Sequence, residues 1–183
     1  MKNTPHGPTG ASSEPTMLKI WKTLAIGSIS KEQLVAEIKK KANINDWALD
    51  AINQKSFICQ NNKEYIYLIL ITPRQFGFTE EPLLCEMYAR VLSVYLKLCP
   101  IQTGLDLRLS YTDQPIDQKI RIGMELVKDS DGSEHQFYLE NTATHGLSLG
   151  SNWITATNRC KLDELWLFRS LVLFEFRRLE FNK

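Results

Sequence analysis

The chain has little of what most recognisable chemistry requires. Its 183 residues include three histidines and four cysteines, and no two cysteines form a CxxC or CxxxC pair. Structural zinc and thioredoxin-type spacings are therefore excluded. Lys plus Arg number 22 against 21 for Asp plus Glu, so no bulk charge argues for a histone-like nucleic-acid binder or an acidic solvating tail. No charge-free apolar run approaches the roughly 18 residues needed to span a bilayer. No internal repeat is visible either.

What is present is the composition of a globular chain, 43% hydrophobic and 23% charged. Residues 1–16 hold three of the seven prolines and two of the nine glycines with no apolar stretch, which reads as a disordered leader. Such a segment lacks the apolar core of a secretory signal, so a cytoplasmic location is expected, with Cys59, Cys85, Cys99 and Cys160 reduced and mostly buried. Cys85 falls on the apolar face of its expected helix and is assigned to the core.

The pattern predicts three short helices within a 17–56 helical subdomain. The first covers 17–26. The second opens at Ser30-Lys31-Glu32-Gln33, which has the form of a capping box, buries Leu34, Val35 and Ile38, and closes on Lys39, Lys40 and Lys41, where the helix dipole favours cations. Asn45 caps the third, with Leu49 and Ile52 inward. Residues 57–183 form an α+β domain. Tyr65 to Ile71 reads as a strand buried on both faces. Thr79 caps a helix that continues through Leu84, Met87, Tyr88, Val91, Leu92, Tyr95 and Leu98 and closes at Pro100. Alternation at Leu105, Leu107, Leu109 and Tyr111 predicts a further strand, as does that of Ile120, Ile122, Met124 and Leu126. Asp129-Ser130-Asp131-Gly132 turns into a strand near 136–140, Trp153 and Ile154 suit a last short strand, and 162–181 predicts a long terminal helix. The expected fold class is α+β: a mostly antiparallel sheet packed on one face by helices, with three short N-terminal helices and a long C-terminal helix.

Several motifs invite chemistry. Gly146-Leu147-Ser148-Leu149-Gly150 has the G-x-S-x-G form of a nucleophile elbow, but that elbow needs a buried strand before it, a helix after it and a later histidine. The polar 140–144 segment precedes Ser148, and His6, His135 and His145 all come before it. A hydrolase using Ser148 and His145 is thus a distant alternative. The Asp129 to Gly132 turn lacks the glycine and helices of a calcium loop. Asp106, Arg108, Arg121 and Glu125 project from the expected polar sheet face, which is a solvated surface by default.

Two interaction readings remain. Three helices followed by a strand resemble the order of a winged helix over 17–72. Lys39, Lys40 and Lys41 are its candidate nucleic-acid contacts, although the would-be recognition helix carries Asp46 and Asp50 and little basic charge. The terminal segment offers Trp166, Phe168, Leu171, Phe174 and Phe176, more apolar surface than one helix face needs, which points to a partner contact or a homo-oligomer. The favoured expectation is a cytoplasmic, non-catalytic protein-interaction or adaptor module with a protein partner, no cofactor and no metal. Nucleic-acid binding is the first alternative.

Overall fold

The computed structural model describes residues 17–171 and 177–178. The chain runs β1 (Met17–Leu18), β2 (Lys22–Ile26), α1 (Lys31–Lys39), β3 (Asn43–Ile44), α2 (Asp46–Asn53), β4 (Glu64–Ile71), a 3-10 turn (Arg74–Phe76), α3 (Leu84–Ser93), β5 (Leu96–Lys97), α4 (Thr103–Ser110), β6 (Lys119–Ile122), β7 (Val127–Lys128), β8 (Glu134–Thr142), β9 (Gly146–Trp153), β10 (Leu165–Ser170) and β11 (Arg177–Arg178). Nine strands form one curled sheet in the order β2-β4-β10-β6-β8-β9-β3, with β5 on β10 and β7 on β8. The short pair β1 and β11 stands apart from it.

Local signals held where they were strong. Ser30 and Gln33 exchange side-chain and backbone hydrogen bonds at the start of α1, and Asn45 accepts from Ala48 N–H at the start of α2. The expected strand at 65–71 is β4, and the Asp129 to Gly132 turn joins β7 to β8. In α3, the start moves to Leu84, because Pro82 precedes the helix and Glu86 Oε2 accepts the Leu83 N–H at 2.8 Å, and the end moves from the expected Leu98 back to Ser93, because Tyr95 takes a positive φ and Leu96–Lys97 pair with β10 as β5.

The expected fold class is corrected on five counts. The sheet is mixed and not mostly antiparallel, since β10 runs parallel to β6 and β3 parallel to β9. Residues 22–26 form a strand, because their Leu24 and Ile26 alternate with more open neighbours and pair with Ile66 and Glu64 of β4. Residues 103–110 form a helix. Leu105 and Leu107 are fully buried, and Asp106 and Arg108, which alternate with them, are buried as well; a helix enclosed on all sides has no polar stripe, and its period is invisible. In place of a long terminal helix, 165–170 is a central strand between β4 and β6. Trp166, Leu167 and Phe168 are all 0% exposed, and a strand buried on both faces shows no alternation to distinguish it from a helix. Four helices result, rather than three short and one long.

Helices cover both faces of the sheet, not one. Leu34, Ile38, Ala48, Ala51, Ile52, Leu105 and Leu107 of α1, α2 and α4 pack with Ile120, Phe137, Leu139, Leu149 and Leu167. On the opposite face, Leu84, Met87 and Val91 of α3 pack with Ile69, Ile71, Trp166 and Phe168. Outside the helices and strands the chain makes its own ladders; for example, Gly123 N donates to Leu167 O at 2.8 Å and Cys99 N to Gly123 O at 2.7 Å. No helix among the described residues is long and apolar enough to cross a membrane.

Candidate functional site

Tryptophan usually buries most of its surface while a partner takes its N–H. Here Trp47, in the first turn of α2, and Trp153, at the end of β9, are each 62% exposed. Both line one cleft of about 390 Å³. The order of the sheet creates this place. β3 accompanies β9 only at Ser148 and Leu149, and beyond it the Asn45 side chain stands in for a strand, accepting from Ser151 N at 3.3 Å and donating to Ser151 O. The next residue of β9 with its backbone turned outward is Trp153, and there the edge is left open beside Trp47.

The interior of the cleft is polar. Arg121 of β6 pairs with Glu164, Nη2 to Oε1 at 3.0 Å, and its guanidinium lies 5.8 Å from the Trp166 ring. Asn152, Asn158 and Arg159 complete the walls, above the buried Cys160. Burial pushes the Cys160 thiol up to about 12, so it stays protonated and inert at neutral pH. Two donors at this site, Arg121 Nε and Trp166 Nε1, are buried without a hydrogen-bond partner among the described residues. The volume of this cleft falls in the range of small-ligand sites, and its lining is more polar than most of them.

The sequence-derived candidates fall elsewhere. Ser148 Oγ donates to the Glu140 carbonyl at 3.4 Å and His145 Nδ1 bonds the Thr144 hydroxyl at 2.8 Å; the two are not brought into contact with each other. Gly150, the last residue of that motif, lies under the Tyr138 ring, where a Cβ would meet Cζ at 2.3 Å. The whole pentapeptide is the first part of β9, with no helix behind it. Of the expected polar sheet face, Arg121 is in the cleft and Glu125 is exposed, while Asp106 and Arg108 belong to α4 and are buried. Trp166 and Phe168 are inside the second core cluster, Leu171 is exposed, and Phe174 and Phe176 lie outside the described residues. Lys39 ends α1, Lys40 and Lys41 follow it, and the three share a shallow depression with Asn43 and His145. The helix-helix-helix order that suggested a winged helix is absent. Cys85 is exposed, contrary to its assignment to the core, and Cys59, Cys99 and Cys160 are free thiols, half-buried or buried.

Sequence reasoning missed a buried Ser, His, Asp arrangement. His135 Nε2 donates to Asp129 Oδ2 at 2.8 Å, and its Nδ1 lies 3.2 Å from Ser151 Oγ. Burial pushes the Asp129 carboxyl up, yet hydrogen bonds from His135 and the Ser133 and Asp131 N–H groups outweigh this and leave it below its usual range. Ser151 is fully enclosed and His135 nearly so. A nucleophile needs room for a substrate beside it, so this trio links the β7–β8 turn to β9 and serves the fold.

Among the described residues, no three His, Cys, Asp or Glu side chains come close enough to hold a metal ion. Comparison with known proteins returns nothing to set beside this site: no family model, no curated protein and no solved structure matches the chain.

Proposed function

We propose that the protein is a protein-interaction module that takes a short peptide segment of its partner in the cleft between Trp47 and Trp153. The carrying observation is the exposure of these two indoles, from distant parts of the chain, on the rim of one polar-floored cleft. Exposed tryptophans are rare on a surface with no partner and are enriched among the residues that dominate interface energies. Their rings supply contact area at low entropic cost, while the Asn152 amide suits the donors and acceptors of a peptide backbone and the Asn158 NH2 suits its carbonyls. The outward backbone groups of Trp153 offer a further pair of main-chain hydrogen bonds of the kind used when a strand adds to a sheet edge.

A phage-displayed random peptide library panned on the wild type and on the W47A/W153A double variant tests this reading. Enrichment on the wild type that vanishes with the double variant is expected. No enrichment, or equal enrichment on both, overturns it. Because both side chains are mostly in solvent, the double variant retains its thermal midpoint.

A further inference from the structure

The cleft is unbalanced in its hydrogen-bonding groups. Arg121 spends Nη2 on Glu164 Oε1, and its Nε has no acceptor. Trp166, fully buried beside it, has an indole N–H with no acceptor, and that group can only donate. Asn158 Oδ1 accepts from both Thr155 N, at 2.7 Å, and Thr155 Oγ1, at 2.9 Å, so what this side chain offers a ligand is chiefly its NH2. Arg159 Nη1 donates to the Glu81 carbonyl at 2.7 Å, and the rest of its fork is available. Among the described residues, the only carboxylate lining the cleft against these donors is Glu164, half-buried, with one oxygen already taken. Two guanidinium groups and one carboxylate leave a single positive charge in excess.

One excess positive charge and planar guanidinium donors describe the complement of a planar, singly charged group with two oxygens. We infer that the cleft recognises a carboxylate of its peptide ligand, held by the guanidinium groups of Arg121 and Arg159, with an adjoining apolar side chain between Trp47 and Trp153. A phosphate dianion exceeds the charge available and lacks the planar match to the guanidinium. Glu164 then acts as the internal placeholder: it neutralises Arg121 in the empty cleft and competes with the incoming carboxylate. The inference rests on the cleft being the binding site proposed above.

The test uses three probes, N-acetyl-phenylalanine, N-acetyl-phenylalaninamide and the dipeptide amide N-acetyl-Phe-Asp-NH2. The readout is the set of indole Nε1–H resonances in a 15N NMR spectrum. The chain has four tryptophans, so each resonance is assigned by one Trp→Phe substitution, with Trp21 as an internal reference outside the cleft. N-acetyl-phenylalanine or the aspartyl dipeptide is expected to move the Trp47, Trp153 and Trp166 resonances, and the uncharged amide to bind about tenfold more weakly or worse, a difference of about 1.4 kcal/mol. A response to N-acetyl-phenylalanine alone assigns the carboxylate to a chain end; a response to the dipeptide assigns it to an acidic side chain. Glu164→Gln, which removes the competitor and keeps the shape, is expected to tighten carboxylate binding several-fold, and Arg121→Gln to abolish the preference for acid over amide while leaving the Trp21 resonance in place. If the uncharged amide binds as tightly as the acids, or if Glu164→Gln weakens the acids, the carboxylate assignment is overturned and the cleft survives as a peptide site. If no probe moves Trp47 or Trp153, the site itself falls, and the inference with it.

Discussion

Phe168 occupies the space directly over Gly123: a Cβ placed on this glycine would meet the phenylalanine ring at 2.0 Å. The ring cannot retreat. It is stacked on Trp166 at 6.2 Å between centroids, and Phe76 and Tyr88 meet it edge-on. Gly123 is fixed as well, because its N–H and C=O link Leu167 to Cys99. Gly123→Ala therefore overpacks the second core and is expected to cost about 1–3 kcal/mol or more. Phe168→Ala leaves a cavity and is expected to cost about 3–5 kcal/mol. Urea unfolding midpoints of the two variants measure both. A Phe168→Ala variant as stable as the wild type would mean that this side chain does not pack in the core.

Two serine and histidine pairs, neighbours in sequence, should behave oppositely. His135 satisfies Asp129 and Ser151 inside the protein, and Asn45 holds the Ser151 backbone from the other side. His135→Ala removes both side-chain bonds and leaves a buried void, so a loss on the order of 2–4 kcal/mol is expected. Ser148→Ala removes one long bond to a carbonyl at a half-buried site, and His145 is exposed; each alanine variant should stay within about 0.5 kcal/mol of the wild type. Thermal unfolding of the three single variants separates the cases.

Asp106 gives stability a pH dependence. Burial in α4 pushes its carboxyl up to about 6, against a partial lowering by Gln102, whose Nε2 donates to Oδ2 at 2.9 Å. With the folded value above the unfolded one, the folded state binds more protons between about pH 4 and 6. Stability from this group is therefore highest below that window, falls as pH rises through it, and stays lower above it, by on the order of 3 kcal/mol at most. Asp106→Asn keeps an acceptor for Gln102 and should be more stable than the wild type at pH 7 but not at pH 4. Urea midpoints of both proteins across that range give the answer; parallel curves would show that Asp106 does not titrate in this window.

Among the described residues Arg108 has no carboxylate partner. Its guanidinium donates to Gln114 Oε1 at 2.6 Å and to the Tyr111 carbonyl, and burial pulls its basicity down to about 10, so it remains charged at neutral pH. It ties the end of α4 to the connection that Gln114 in turn anchors on Gln118 and Leu139. Arg108→Met preserves the apolar stem and leaves both acceptors unpaired, for an expected loss on the order of 2–4 kcal/mol. Faster amide exchange confined to residues 111–118 would locate the effect; a neutral substitution would refute the tie.

Signals that act within a few residues were legible in advance. The Ser30–Gln33 box, the Asn45 cap, the turn at Asp129 to Gly132 and the strand at 65–71 each depend on neighbours in the chain. The cleft was not legible. By sequence alone Trp47 is one more apolar residue of a helix, Trp153 belongs to a short strand, and Arg121 is one charge on a solvated face. Nothing in a linear pattern brings them together.

The amino-acid sequence by itself determined the caps, the turns and which segments are apolar enough to be buried. Tertiary structure decided what the buried segments became. Leu-Asp-Leu-Arg-Leu alternates like a strand and is helix α4, because its Asp and Arg find partners inside the protein. Leu-Trp-Leu-Phe resembles a helix and is strand β10, because β4 and β6 flank it and a helix-covered face lies on each side. Full burial removes the contrast between inside and outside from which periodicity is read, and only the packing of distant segments then chooses the conformation.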